Sequence, residues 1–215
     1  MIRRLSELSE RISHPGKKAE KTTAQQKRGS DEWIPFASWC TTGQFMNLDK
    51  GFKNHCGPTA AVNVIRMLKS RLRPGKEPSA DEELFLTCAG IGRKMGIYWN
   101  REILGRFGGT SNFLTGPYLR RCLKKTGLED AAIVRFHPWI TPDAVRQALD
   151  TGAIVYLEVY YHPKYKNHHM LCCGYRRQGP KGPEQFLLSD GWTRGPVWVS
   201  GDQLGHGHFL TIRLK

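Results

Sequence analysis

The sequence has no run of about 18 apolar residues, so no transmembrane helix is expected. Its charged start, MIRRLSELSERISHPGKKAEK, contains no continuous apolar segment. That argues against a standard secretory signal and points to a reducing cytoplasm, with signal-independent export left open. Six cysteines (Cys40, Cys56, Cys88, Cys122, Cys172, Cys173) include no C-x-x-C pair, which argues against a zinc ribbon or a thioredoxin-like motif. In a chain of 215 residues they do not make a disulfide framework, so free thiols are expected. Internal repeats are absent, and no low-complexity tract lies beyond the N-terminal arm.

Acidic residues are scarce, 19 against 33 Lys and Arg, for a net charge of +14. Residues 1–30 alone carry eight basic and three acidic side chains. Such a balance suits nucleic acid, an anionic membrane surface or an acidic partner. The basic clusters KSRLRPGK, RRCLKK and YRRQGPK lack interleaved aromatics, however, and match no nucleic-acid motif, so a solvated basic surface is the simpler reading. Ile2, Leu5, Leu8 and Ile12 have helical spacing, and 13–31 is polar with Pro, Gly, Lys and Gln. Residues 1–31 therefore read as a basic arm or linker, and 32–215 as one domain.

Within that domain, Ala61, Val64, Ile65, Leu68 and Leu72 describe one face of a helix beginning near Cys56, with Pro58 in its first turn. Ser79-Ala80-Asp81-Glu82 forms a capping box for a second helix. A third is expected over about 116–126, and a fourth from Thr141-Pro142-Asp143 to near Gly152. Short β-branched and aromatic stretches follow at 153–161, 168–177, 185–191, 196–200 and 208–214. Helices first and strands later predict an α+β domain with an antiparallel sheet.

Cys56 stands at the start of a helix, before the small Gly57, where the helix dipole favours a thiolate. A nucleophilic cysteine also needs a histidine, and that histidine an orienting group. The stretches Cys56-Gly57-Pro58-Thr59-Ala60, His168 six positions before Gly174-Tyr175, and Ser189-Asp190-Gly191-Trp192 occur in that order. Together they resemble the papain-like cysteine peptidases, in particular the bacterial branch related to bacteriocin-leader-processing peptidases. The resemblance spans about 33–214. It implies a papain-like fold, with the nucleophile's helix packed on a C-terminal antiparallel sheet. It further implies a Cys56–His168–Asp190 triad, a peptide or protein substrate and no cofactor. His168 is selected over His169 by the register, because neighbours on a strand face opposite ways.

The family places an oxyanion-hole Gln six residues before the cysteine, where this chain has Lys50. Gln44 is the best substitute, Asn54 is the other nearby amide, and the main-chain N–H of Cys56 would be the second donor. Gly57 and Trp192 are expected to border the cleft, Trp192 as a shield for the His–Asp hydrogen bond. Several residues read more simply without chemistry. His162, His168, His169, Cys172 and Cys173 form no compact tetrahedral set, so no metal is expected. Phe107-Gly108-Gly109-Thr110 reads as a loop, and Gly205-His206-Gly207-His208 as a flexible exposed turn. Cys172 and Cys173 are expected to fill opposite sides of one strand. The alternative to a hydrolase is a retired papain-like scaffold that binds nucleic acid or an acidic partner.

Overall fold

In the computed structural model, the described residues are 54–73, 81–103, 107–177, 182–193 and 195–215. The expected basic arm, Cys40 and Gln44 lie outside them. Four helices occur: α1 (Cys56–Leu72), α2 (Asp81–Lys94), α3 (Thr115–Lys125) and α4 (Pro142–Asp150). They match the four periodic stretches. The Thr141 hydroxyl caps α4 by accepting from Ala144 N at 3.2 Å.

A two-stranded ribbon pairs β1 (Tyr98–Ile103) with β2 (Phe107–Thr110). A six-stranded antiparallel sheet joins β3 (Ala132–His137), β4 (Ile154–His162), β5 (Lys166–Arg177), β6 (Glu184–Ser189), β7 (Val197–Ser200) and β8 (His206–Leu214). Its order is β3-β8-β4-β5-β6-β7. Two readings are corrected here. Phe107-Gly108-Gly109-Thr110 is a strand, and His206 and Gly207 join His208 in β8. Ladder hydrogen bonds satisfy these glycine-rich backbones, a pairing that local propensity does not reveal.

The mixed α+β architecture with its antiparallel sheet is therefore present. Helices α1, α2 and α3 cover one face, where Ile154, Tyr156, Leu171 and Cys173 join their core. Helix α4 covers the other face with Val155, Leu157, Met170 and Cys172. Successive residues of a strand thus enter opposite cores, and the central strands read as unbroken apolar runs because both faces are buried. Cys172 and Cys173 do fill two sides of β5. A bulge between Cys172 and Gly174 then moves Tyr175 to the α4 side, onto Phe186. Cys56, Cys88, Cys122 and Cys172 are free thiols, whereas Cys173 is disulfide-bonded, so free thiols throughout is corrected at that position. Among the described residues, no helix is long and apolar enough to cross a membrane.

Candidate functional site

Cys56 is the first residue of α1, and the preceding His55 supplies no side-chain cap. The first-turn amides of a helix lack intrahelical partners. Here they remain free to face the Cys56 sulfur. Gly57 is required because β2 crosses the helix start: a Cβ at position 57 would lie 2.4 Å from Thr110 Oγ1 and 2.5 Å from its Cγ2. Asn54, at the entry to the helix, adopts a left-handed φ of 52°, which asparagine tolerates better than most residues.

A cavity of about 220 Å³ opens at this helix start. Its walls include Asn54, His55, Cys56, Thr59, His168, Asp190 and Trp192. The structure thus brings three of the sequence-predicted residues, Cys56, His168 and Asp190, to one cavity, with Asn54 and Trp192 on its rim. His169, one residue on, faces the α1 side of the sheet. Its Nε2 donates to the Thr110 carbonyl at 3.1 Å, and its Nδ1 lies 3.1 Å from the Tyr156 hydroxyl.

The contact between His168 and Asp190 differs from the expected one. His168 Nε2 donates to the main-chain carbonyl of Asp190 at 2.7 Å. A carbonyl can only accept, so this bond places the proton on Nε2 and leaves Nδ1 with a free lone pair. The Asp190 carboxylate is engaged elsewhere. Its Oδ1 accepts from Trp192 N at 2.9 Å and Thr193 N at 3.0 Å, and shares the Thr193 hydroxyl with Gly195 O. Its Oδ2 accepts from the Tyr165 hydroxyl at 3.2 Å. The carboxylate therefore builds the turn that aims the carbonyl at the imidazole. Asp190 thus meets His168 through its carbonyl oxygen and not through the carboxylate.

Burial dominates the electrostatics of the pair. It pushes the Cys56 thiol up, against the main-chain amides of His169, Gly57 and Cys56, which favour the thiolate; the charge of Glu158 pushes it further up. Burial also pushes His168 down to about 4, against its bond to the Asp190 carbonyl. The expectation that the helix start supplies thiolate character is thus corrected: desolvation outweighs the dipole, and both the thiol and the imidazole in this cavity rest neutral. For Asp190, burial pushes the carboxyl up, but the amides of Thr193 and Trp192 with the Thr193 and Tyr165 hydroxyls outweigh it and hold the acid below its ordinary range.

Sequence reasoning missed His55, Thr59 and Tyr165. The His55 Nδ1 and Thr59 Oγ1 are 2.9 Å apart, and the imidazole stands edge-on to Phe85, so position 55 packs the helix start instead of capping it. Tyr165 lies in HPKYKNHH, where nothing in the local pattern signals a contact with Asp190, 25 residues away. Among the described residues, no group of three or more His, Cys, Asp or Glu side chains is placed to hold a metal ion.

The two roles open to Asp190 separate by substitution. Asp190→Asn keeps an oxygen for the amides of Trp192 and Thr193 and leaves the carbonyl in place. Any His168-dependent rate should stay within about tenfold of wild type. Asp190→Ala leaves both amides unpaired and frees the turn, a loss of about 2–3 kcal/mol and a fall of roughly 30- to 150-fold. Steady-state rates for both variants decide it: equal losses would mean that the carboxylate charge, not the turn, orients the base.

Among known proteins, no family model matches the chain, and no curated protein matches it.

Proposed function

We propose that the protein is a thiol hydrolase of papain-like type that cleaves a peptide, isopeptide or related amide bond. The observation that supports this reading most is the shared cavity: a helix-start cysteine and a histidine whose Nδ1 is left free by the carbonyl bond on Nε2.

Because both groups rest neutral, the nucleophile forms on demand. As Cys56 Sγ attacks the substrate carbonyl carbon, its proton passes to His168 Nδ1. The developing oxyanion meets the main-chain N–H of Cys56, with Asn54 or Gln44 as the second donor. The imidazolium, held by the Asp190 carbonyl, then protonates the leaving amine, the C–N bond breaks, and a thioester to Cys56 remains. Water, or another acceptor, attacks the thioester with the neutral imidazole again accepting a proton, which regenerates the thiol. Trp192, its ring 4.5 Å from the imidazole, shields one side of His168 from solvent.

A peptide probe carrying a thiol-reactive carbonyl electrophile tests the assignment. It should label the wild type and fail to label Cys56→Ala, because the other free thiols among the described residues, Cys88, Cys122 and Cys172, are buried. Equal labelling of both proteins would overturn it. The net charge of +14 supports a second reading, a scaffold that binds nucleic acid or an acidic partner without catalysis. Steeply salt-dependent nucleic-acid binding that survives Cys56→Ala, with no labelling of the wild type, would favour that reading.

A further inference from the structure

Tyr165 makes two contacts that the proposed chemistry leaves unused. Its ring lies nearly parallel to that of His168, 5.5 Å between centroids with an 11° interplanar angle. Its hydroxyl donates to Asp190 Oδ2 at 3.2 Å. One side chain thus touches both the imidazole and the residue whose carbonyl holds that imidazole. Trp192 closes a triangle of rings, 4.5 Å from His168 and 5.3 Å from Tyr165.

Tyr165 is itself held firmly. The turn between β4 and β5 wraps around His162, whose Nδ1 accepts from the main-chain N–H groups of Lys164 and Tyr165, both at 3.1 Å. His162 Nε2 donates to the Gln203 carbonyl at 2.8 Å, which ties the turn to the segment before β8. Lys164 Nζ donates to the Tyr165 hydroxyl at 3.0 Å. With an ammonium on its lone pair, that hydroxyl must direct its own proton toward Asp190. Tyr165 is 1% exposed, whereas the Lys164 side chain is 56% exposed.

We propose that Tyr165 is a positioning residue for the general base: its ring fixes the plane of the His168 imidazole, and its hydroxyl fixes the Asp190 turn whose carbonyl selects the Nε2–H tautomer. This inference rests on His168 being the base of the proposed hydrolase. A stacked neighbour excludes water from the ring face, and a held tautomer keeps the Nδ1 lone pair available for the proton transfer proposed above; both act on the chemical step more than on substrate binding. The titratable groups whose charges act on His168 are Asp190, His169 behind it on β5 and His162 from β4, and Lys164 reaches the Asp190 carboxylate.

Two variants separate the contributions. Tyr165→Phe keeps the ring and removes the hydroxyl, and kcat should fall about fivefold, the worth of one hydrogen bond. Tyr165→Leu removes both, and kcat should fall about 100-fold with KM changed by less than about twofold. NMR titration of His168, in proteins also carrying Cys56→Ala, needs no activity. Its midpoint should stay near 4 with Tyr165→Phe and rise toward about 6.5 with Tyr165→Leu as water reaches the ring. An unchanged titration in a folded Tyr165→Leu protein overturns the inference, as does a loss confined to KM. If Tyr165→Leu does not fold, Tyr165→Phe decides: an unchanged kcat overturns the hydroxyl's role, and a fall near fivefold supports it. Failure of the hydrolase reading shows separately, as an inactive wild type whose His168 midpoint still moves with Tyr165.

Discussion

Replacing His168 by alanine is expected, under the proposed hydrolase mechanism, to lower kcat/KM for an amide substrate by about 10³-fold, within the range that a positioned general base contributes. In the proposed mechanism the side chain acts on the proton of Cys56 and on the leaving amine rather than on the bound substrate, so the loss should fall on kcat. The rate should also carry a distinctive pH profile in the wild type. With the imidazole pushed down to about 4, the base is already free in mildly acidic solution, and the acidic limb of kcat should lie near pH 4 rather than 6.5. A limb near 6.5 would show that water reaches the ring and that the closed arrangement does not persist.

The same shift links His168 to stability. The folded state binds the proton less readily than the unfolded chain, whose histidine titrates near 6.5. Between those values the unfolded state holds more protons, so stability is fully present above about pH 6.5 and is lost as pH falls through about 4. The contribution amounts to about 3 kcal/mol for this almost fully buried ring. His55 and His169, both pushed down chiefly by burial, add loss of the same sign. Urea midpoints measured from pH 7 to 4 should therefore fall less steeply for His168→Ala than for wild type. Parallel slopes would sink the assignment, and full activity of His168→Ala alongside an inactive His169→Ala would move the base to the neighbouring residue.

The helices were legible because they carry their own signals: the apolar period after Cys56, the capping-box sequence ahead of α2, and Thr141 capping α4. The strands around His168 were legible as apolar runs. Strands β1, β2 and β3 were not. Two glycines interrupt β2, and β3 alternates Ala, Val and Phe with Ile, Arg and His on an edge of the sheet, so their pairing is fixed by partners far along the chain. At the site, residue identities were easier to read than atoms. The order of three short motifs placed Cys56, His168 and Asp190 together. No sequence pattern distinguishes an aspartate that orients through its carboxylate from one that orients through its carbonyl, because the choice lies in the turn at Gly191, Trp192 and Thr193. Nor does sequence weigh desolvation against a helix dipole, which is why the thiol moved up where the helix start alone suggested down.

Gly207→Ala is expected to destabilise the sheet strongly. The residue pairs with Val159 across β8 and β4, and its φ of 151° lies in a region that side chains rarely adopt. A Cβ there would stand 1.9 Å from the main-chain oxygen of Glu158, 3.0 Å from its carbonyl carbon and 3.1 Å from the Cα of Val159. These are backbone atoms of a central strand and cannot rotate away as a side chain would. Strand β4 would have to move off β8, and Val159 also pairs with His168, so the shift would reach the cavity. A loss of about 4 kcal/mol or more follows, lowering Tm by roughly 8–16 °C for a domain of this size. Gly152→Ala is the matched control: its φ of 74° also disfavours a side chain, but nothing lies within 4 Å of the added carbon, so the cost should be about 1–2 kcal/mol. Thermal melts of the two variants compare the close approach with the backbone conformation alone. If both fall by the same amount, the contact at Glu158 is not what requires glycine at position 207. If Gly207→Ala alone falls steeply, the GHGH segment that looked like a loose turn is the tightest crossing in the sheet.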